Sequence, residues 1–197
     1  MRLDGGHPAL ELVNTIYGQV GGPIEADVLA SPADLVTFAR RIGVGGVDTP
    51  ETADALEAGR ALRDTLDALF RARVARTATP PGALAALEKT ARTALAAACL
   101  TEQGGAITWT WAPDDAHTPV HRLAHAALEL LSDETELARI HQCAGCCWLF
   151  LDHSRGAGRR WCSMADCGTE AKKRRYVQRR RDRKAEPAPE SNQQPLA

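Results

Sequence analysis

The amino-acid sequence predicts a mainly α-helical fold, with a helical N-terminal domain that carries one small β-hairpin and a small cysteine-rich module behind it. Two observations support the helical part. Apolar residues recur at helical spacing over the first 140 or so residues, and prolines, glycines and N-cap residues divide that stretch into segments. The third observation is that four cysteines in two close pairs are followed by a run of lysine and arginine.

The first helices are short. The apolar segment Ala9–Ile16 predicts one or two helical turns, which the glycine- and proline-rich stretch 18–23 ends. Ser31 followed by Pro32 is an N-cap with proline at the first helical position, a pattern that predicts a helix from Ala33 to Ile42.

Two long helices come next. A Thr-Pro pair at 49–50 predicts the start of a helix that runs to about Arg76, with leucines and a phenylalanine near helical spacing. The Pro-Pro-Gly sequence at 80–82 breaks the chain, and an alanine-rich helix is predicted from there to about Leu100. Cys99 is then expected to be a small buried residue at the end of that helix.

The last part of the N-terminal domain mixes a strand with helices. Gly-Gly at 104–105 stops the preceding helix, and the alternation of apolar and polar residues in Ile107–Trp111 predicts one strand of a small hairpin. A helix is predicted over Pro119–Leu131, and a further short helix over Asp133–Ile140 leads into Cys143.

The composition excludes several classes of protein. With 44% hydrophobic residues in 197, the chain can bury a core, and no run approaches the ~18 apolar residues of a membrane span. The N-terminus lacks the pattern of a signal peptide, so a cytoplasmic location is expected. In a reducing cytoplasm, clustered cysteines favour metal binding over disulfide bonds.

Charge divides the chain into two parts. The net charge of −1 combines residues 1–142, which carry 12 Lys and Arg against 19 Asp and Glu, with residues 143–184, which carry 12 against 4. An acidic body of net charge −7 is therefore joined to a basic end of net charge +8. This asymmetry predicts a surface that binds a polyanion at the C-terminal end.

The cysteine spacing predicts a metal site. Cys143 and Cys146 are separated by two residues, fifteen residues follow, and Cys162 and Cys167 are separated by four. Two short-spaced pairs across a loop of this length are typical of a zinc ribbon, and four sulfur ligands leave no open position for water. We therefore expect one structural Zn²⁺, the alternative being four free or disulfide-paired thiols.

Other candidate ligands are weaker. Cys147 is expected to be a bystander beside the site, although it could replace Cys146 as a ligand. His121 and His125 share one helix face with His117 just before them, but they lack a third strong ligand, so a surface or half-buried pair is expected.

The polar pair Asn14–Thr15 stands in an apolar segment. It could line a pocket of the N-terminal domain or make buried hydrogen bonds, and the sequence leaves both roles open.

A strongly basic helix is predicted after the cysteines. Ser163 with Asp166 three residues later resembles a capping box, which starts a helix that holds Cys167 and runs to roughly Arg183. Residues 172–184 contain nine cations and one acid. This helix could bind phosphate groups, remain solvated, or dock on the acidic body. The residues predicted to contact nucleic acid are Arg159, Arg160, Lys172, Lys173, Arg175, Arg179 and Arg180.

The residues around the cysteines also form an extended motif. It reads Cys143-Ala144-x-Cys146-x3-Phe150-x-Asp152-x-Ser154, then Arg159-Arg160-Trp161-Cys162-Ser163-Met164-x2-Cys167-Gly168, then Ala171-Lys172. This motif resembles the CGNR-type zinc finger, and the opening His7-Pro8-Ala9-Leu10-Glu11-Leu12-Val13-Asn14-Thr15 resembles that of the ABATE domain, which commonly precedes the finger.

The resemblance implies a bacterial, stress-linked transcription regulator whose finger binds DNA, with zinc ligands at Cys143, Cys146, Cys162 and Cys167. One departure stands out. The family's Cys-Gly-Asn-Arg signature reads Cys167-Gly168-Thr169-Glu170 in this chain, so an amide and a cation are replaced by a hydroxyl and an anion. Glu170 could repel phosphate, or it could pair with Arg174 one turn later.

These observations predict a helical ABATE-like domain at 1–140, a small four-cysteine zinc finger made of a β-hairpin and a basic α-helix at 141–184, and a disordered tail at 185–197. The predicted function is that of a DNA-binding transcription regulator whose N-terminal domain senses a signal or forms a homodimer. The alternatives are an RNA-associated or protein-interaction module, and an enzyme or ligand sensor centred on the N-terminal domain. No catalytic motif is present in the sequence, so no enzymatic activity is expected. Because no apolar run is long enough to span a bilayer, no membrane partner is expected either.

Overall fold

The computed structural model describes residues 1–156 and 158–185, so the predicted tail lies outside the described residues from residue 186 onward. The first elements in chain order are helix α1 (Pro8–Val13), strands β1 (Ile16–Gly18) and β2 (Ile24–Asp27), and helices α2 (Pro32–Arg41), α3 (Ala53–Ala75) and α4 (Ala83–Ala96). The next are strands β3 (Cys99–Gln103) and β4 (Ala106–Thr110) and helices α5 (Thr118–Ser132) and α6 (Glu134–Leu137). Strands β5 (Ile140–Gln142) and β6 (Leu149–Leu151), a π-helical turn (Met164–Gly168) and helix α7 (Thr169–Ala185) complete the described chain. The predicted mainly α fold with small antiparallel hairpins is confirmed.

Helix α3 is the centre of the core. It packs against α1, α2, α4 and α5, and its residues Leu62, Leu66 and Phe70 are at most 2% exposed. These are members of the predicted apolar stripe, and burying each contributes about 1.5–3 kcal/mol. Ile140, Leu149 and Leu151 of the C-terminal strands belong to the same core, so the cysteine-rich module shares it.

The starts of α2 and α3 follow capping rules, with α3 displaced from its predicted position. Ser31 and Asp34 form a complete capping box at α2, with the Ser31 N–H donating to Asp34 Oδ2 at 2.8 Å. Helix α3 begins three residues after the predicted position, and its cap is Thr52. The Thr49 hydroxyl instead accepts a hydrogen bond from the Gly46 N–H at 3.0 Å, so this side chain stabilises the turn before the helix.

The end of α4 differs from the prediction. The helix ends at Ala96, and Cys99 opens β3 with an exposed side chain, so its assignment as a buried helical residue is wrong. Two interactions with residues later in the chain override the helix propensity of the alanine run. Trp111 Nε1 donates to the Ala94 carbonyl at 2.7 Å, and β4 pairs with 99–103 through a turn at Gly104-Gly105, where both φ angles are positive.

The β1–β2 hairpin was not predicted. The sequence reads as a helix ended by a glycine- and proline-rich break, whereas that stretch connects two antiparallel strands. Gly18 is required there because a Cβ would lie 2.7 Å from the Pro23 carbonyl oxygen. Among the described residues, no helix combines the length and apolar character that crossing a membrane requires.

Candidate metal centre

Four cysteine sulfurs converge on one point. The Sγ atoms of Cys143, Cys146, Cys162 and Cys167 all lie within 4.8 Å of one another. The Cys146–Cys162 and Cys162–Cys167 sulfur distances are both 3.7 Å. A tetrahedral zinc–tetrathiolate site with bonds of about 2.3 Å has sulfurs about 3.8 Å apart, so the arrangement fits one zinc ion.

Backbone hydrogen bonds hold the first pair of ligands. The Cys143 N–H donates to the Trp148 carbonyl at 2.9 Å, which closes the turn between β5 and β6 that carries Cys143 and Cys146. Gly145 lies within this turn, and a Cβ there would meet the Cβ of Cys167 at 3.1 Å. Cys167 therefore approaches the turn closely, and a side chain at position 145 would crowd it.

The last ligand comes from the start of the C-terminal helix. Ser163 caps it, with the hydroxyl accepting from the Asp166 N–H at 3.4 Å, as the predicted cap requires. The first turn is π-helical rather than α-helical, and it carries Cys167. A wider turn at a functional site is a familiar feature, and here it places Cys167 within reach of the other sulfurs.

The hydrogen bonds among the four thiols favour a bound cation. Hydrogen bonds from the thiols of Cys146 and Cys162 lower the pKa of Cys143 far below its usual value. The hydrogen bond of Cys146 to Cys143, together with burial, raises the pKa of Cys146 to about 12. Hydrogen bonds to Cys143 and Cys146, together with burial, raise the pKa of Cys162. Without a metal these shifts favour one thiolate beside protonated neighbours, whereas a bound Zn²⁺ stabilises all four as thiolates. The residues therefore provide one structural zinc site.

Aromatic side chains cover the centre. Trp148 and Phe150 are at most 2% exposed and pack with Cys143 and Cys162 in a separate small cluster. Tyr17 of β1 meets Trp148 edge to face, with ring centroids 4.9 Å apart. This shell covers Cys143 and Cys162 and joins them to the N-terminal body, while Cys146 and Cys167 are half-buried.

The body holds β6 by its backbone. Asn14 is fully buried, and its side-chain amide donates to the Leu149 carbonyl at 2.8 Å and accepts from the Leu149 N–H at 2.9 Å. The Leu151 N–H donates to the Gly5 carbonyl at 2.9 Å, and Glu11 holds that segment by accepting from the Gly5 N–H at 2.8 Å. The two roles left open for Asn14 are thus resolved in favour of buried hydrogen bonding.

We expect Asn14→Leu to lower the free energy of unfolding by about 2–4 kcal/mol, because it leaves the buried N–H and C=O of Leu149 without partners. Chemical denaturation of the zinc-loaded protein measures this. Gln19→Leu, which removes an exposed amide, is the control and should change stability by less than about 0.5 kcal/mol. Equal effects of the two changes would contradict the assigned role.

The basic helix extends into solvent. Every side chain from Lys172 to Arg183 is exposed, including Tyr176 and Val177. Of the alternatives considered, docking on the acidic body is therefore not the observed arrangement. Glu170 pairs with Arg174 at 3.7 Å. Of the two roles considered for Glu170, this pairing is therefore the one that the structure contains.

The two arginines before Cys162 have different environments. Arg159 Nε donates to the Trp161 carbonyl at 2.8 Å, its Nη2 to the Cys162 carbonyl, and its guanidinium lies 4.7 Å from the Phe150 ring centroid. Arg159 thus braces the finger itself. Arg160 is exposed and lies over the Trp161 ring at 5.2 Å.

Sequence reasoning missed the residues that join the body to the finger. Arg2 lies over the Trp148 ring at 5.4 Å and pairs with Asp166, and Arg71 Nη2 donates to the Cys147 carbonyl at 2.8 Å. The partners are far apart in sequence, and no local pattern marks either arginine.

The remaining candidate ligands lie elsewhere. Cys147 Sγ donates to the Ile16 carbonyl at 3.4 Å and takes no place among the four sulfurs. His121 is buried and stacks on His117 at 6.0 Å, while His125 meets Trp111 edge to face. Within the described ranges, the cysteine cluster is the one group placed to hold a metal ion.

Comparison with known families gives two matches. The family named ABATE, described as "Putative stress-induced transcription regulator", matches residues 6–134, which is more than half of the chain. The CGNR zinc finger matches residues 139–180 and includes all four cysteines. No curated protein matches the chain.

Proposed function

Because the chain belongs to the ABATE family and carries a CGNR zinc finger at residues 139–180, we propose that it is a transcription regulator that binds duplex DNA through α7. The N-terminal body senses a signal or forms a homodimer in this proposal, and the chain carries out no catalytic step. The observation that carries the proposal is an exposed basic helix fixed at one end by the zinc site.

The charge of α7 supports a polyanion as its partner. Eight lysines and arginines at 172–183 lie on a solvent-exposed helix, against Asp182 as the one acid in that interval. Their mutual repulsion disfavours the isolated helix, and phosphate groups relieve it. The helix has 17 residues and spans about 25 Å, and an α-helix fits the major groove of B-DNA.

The residues beside the last ligand indicate how selective this binding is. Thr169 Oγ1 donates to the Met164 carbonyl at 3.1 Å, so the hydroxyl closes the π-helical turn. Gln178, the one amide of α7, donates to Asp182 at 2.8 Å. With both groups engaged inside the finger, the phosphate contacts supply most of the affinity and base readout supplies little.

A titration of labelled duplex DNA with the full zinc-loaded chain tests the proposal, read by fluorescence anisotropy. Binding through six or more phosphate contacts should weaken by about 1,000-fold between about 50 and 200 mM salt. Single-stranded RNA of equal length is the comparison. Equal or tighter binding of the RNA favours the RNA-associated alternative, and no binding of either at low salt favours a protein-interaction module.

A further inference from the structure

The β3–β4 hairpin has an exposed apolar face. Leu100 is paired with Trp109 and Glu102 with Ile107, so these four side chains lie on the same face of the hairpin. Ile107 is 74% exposed, Leu100 58% and Trp109 40%. Exposed apolar side chains grouped on one face often mark an interaction surface, and a further strand would extend this two-stranded sheet.

The outer edge of β4 is open to a further strand. In the described part of the chain, β4 pairs with β3 and with no other strand. The pair Gln103–Ala106 flanks a two-residue turn and is hydrogen-bonded, as is the pair Thr101–Thr108. Ile107 and Trp109 belong to the alternating pairs that are not hydrogen-bonded to β3. Their backbone N–H and C=O groups therefore point to the outer edge.

This edge lacks the features that normally prevent strand pairing. Residues 106–110 contain no proline and no charged side chain, whereas edge strands are usually protected by lysine, proline or bulges. In the whole hairpin, residues 99–110, the one charged residue is Glu102, while residues 1–142 carry 31. Because β4 carries no charged side chain, β4 of a second copy can approach it without charge repulsion between the two strands.

We propose that the outer edge of β4 pairs antiparallel with β4 of a second copy, around a two-fold axis at Thr108. This register places Ile107 opposite Trp109 of the second copy, and Trp109 opposite its Ile107. Each such pair exchanges backbone hydrogen bonds, because both residues point their N–H and C=O groups outward. The apolar faces of the two hairpins join into one continuous surface.

The other edge of the hairpin fits a second copy less well. Pairing through β3 around Thr101 would place Leu100 opposite Glu102 of the second copy, and so would combine an apolar side chain with a carboxylate. The β4 edge is thus the self-complementary one.

The inference deepens the proposed function, since a two-fold dimer carries two basic helices and binds DNA bivalently. Only the biological role of the dimer rests on the proposed function; dimerisation itself does not depend on it. The tests contain no DNA, so a failure of DNA binding and a failure of dimerisation are seen separately.

Sedimentation equilibrium of the zinc-loaded protein is the first test. The wild type should reach twice the 21.2 kDa chain mass, and Ile107→Lys should raise the dissociation constant at least about 10-fold by opposing an ammonium to Trp109. Val47→Lys, at an apolar residue 80% exposed outside the hairpin, should leave it unchanged. A wild type that stays monomeric up to about 100 µM overturns the proposal, as does a dimer insensitive to Ile107→Lys.

Disulfide trapping is the second test and does not depend on the lysine variant folding. On the two-fold axis, Thr108 of the two copies forms a non-hydrogen-bonded pair with Cα atoms about 4.5 Å apart, within disulfide range. In a Cys99→Ser background, Thr108→Cys should be cross-linked by mild oxidation, whereas Ala106→Cys, which lies off the axis, should not. Equal cross-linking of the two overturns the register, and capture of another protein at Thr108→Cys in place of a second copy overturns the choice of partner.

Discussion

Cys162→Ser is expected to abolish zinc binding and to destabilise the N-terminal body as well as the finger. Cys162 is fully buried, and its sulfur lies 3.7 Å from two other ligand sulfurs. A serine hydroxyl does not replace a thiolate, and structural zinc contributes about 10–16 kcal/mol of binding free energy to a small module. Losing the metal should therefore unfold the finger.

The effect should reach the body because the two parts share a core. When β6 unfolds, Leu149 and Leu151 leave that core and the buried Asn14 amide loses both of its partners. A change confined to the C-terminal module, as the two-part sequence pattern suggests, is therefore not what the structure predicts. The midpoint of thermal unfolding of the body helices should fall together with that of the finger.

Zinc content by mass spectrometry and helical circular dichroism on heating measure both effects. Cys147→Ser is the matched control, since Cys147 is a neighbouring half-buried cysteine outside the sulfur cluster, and it should keep one equivalent of zinc. Zinc retained by Cys162→Ser would refute the metal site. An unchanged melting transition of the body would show that the shared core adds little to its stability.

Neutralising α7 is expected to remove most of the DNA affinity. Lys172, Lys173, Arg179 and Arg180 are exposed on α7, which packs mainly against the π-helical turn before it. Changing all four to glutamine removes up to four phosphate contacts. The slope of log K against log salt should become less steep by about 3.6, and affinity at about 50 mM salt should fall at least about 100-fold.

The control is an equal change of charge on the body. Arg41, Arg73, Lys89 and Arg92 are also exposed, and glutamine at these four positions lowers the net charge by the same amount. Affinity and salt slope should then stay close to those of the wild type. A similar loss in both variants would mean that net charge, rather than α7, controls the interaction with DNA.

Local patterns explain how much of this molecule the sequence predicts. The zinc ligands, the cap at Ser31 and the stripe on α3 follow from spacings within a few residues, and all three are found. Cys99 was misplaced because the alanine run before it favours helix, whereas pairing with β4 eleven residues later determines its conformation.

The contacts between body and finger could not be predicted in this way. Asn14 and Leu149 are 135 residues apart, and nothing in the sequence around Asn14 distinguishes a buried clamp from a pocket residue. The role of Arg159 also depends on tertiary structure. Its charge suggests a phosphate contact, while its hydrogen bonds to the Trp161 and Cys162 carbonyls are visible only in the folded finger.

The shared core also constrains how the two parts can evolve. Because β6 enters the body with Leu149 and Leu151 and fills space between helices, a finger from a relative can replace this one only if it brings apolar side chains of similar size. The hydrogen bonds from Asn14 and Gly5 impose no such restriction, since they contact only backbone that every strand possesses. Exchange of fingers among relatives is thus limited by the side chains that meet the body, Leu149 and Leu151 in its core and Trp148 and Asp166 against Arg2, while α7 beyond them is free to change its charge pattern.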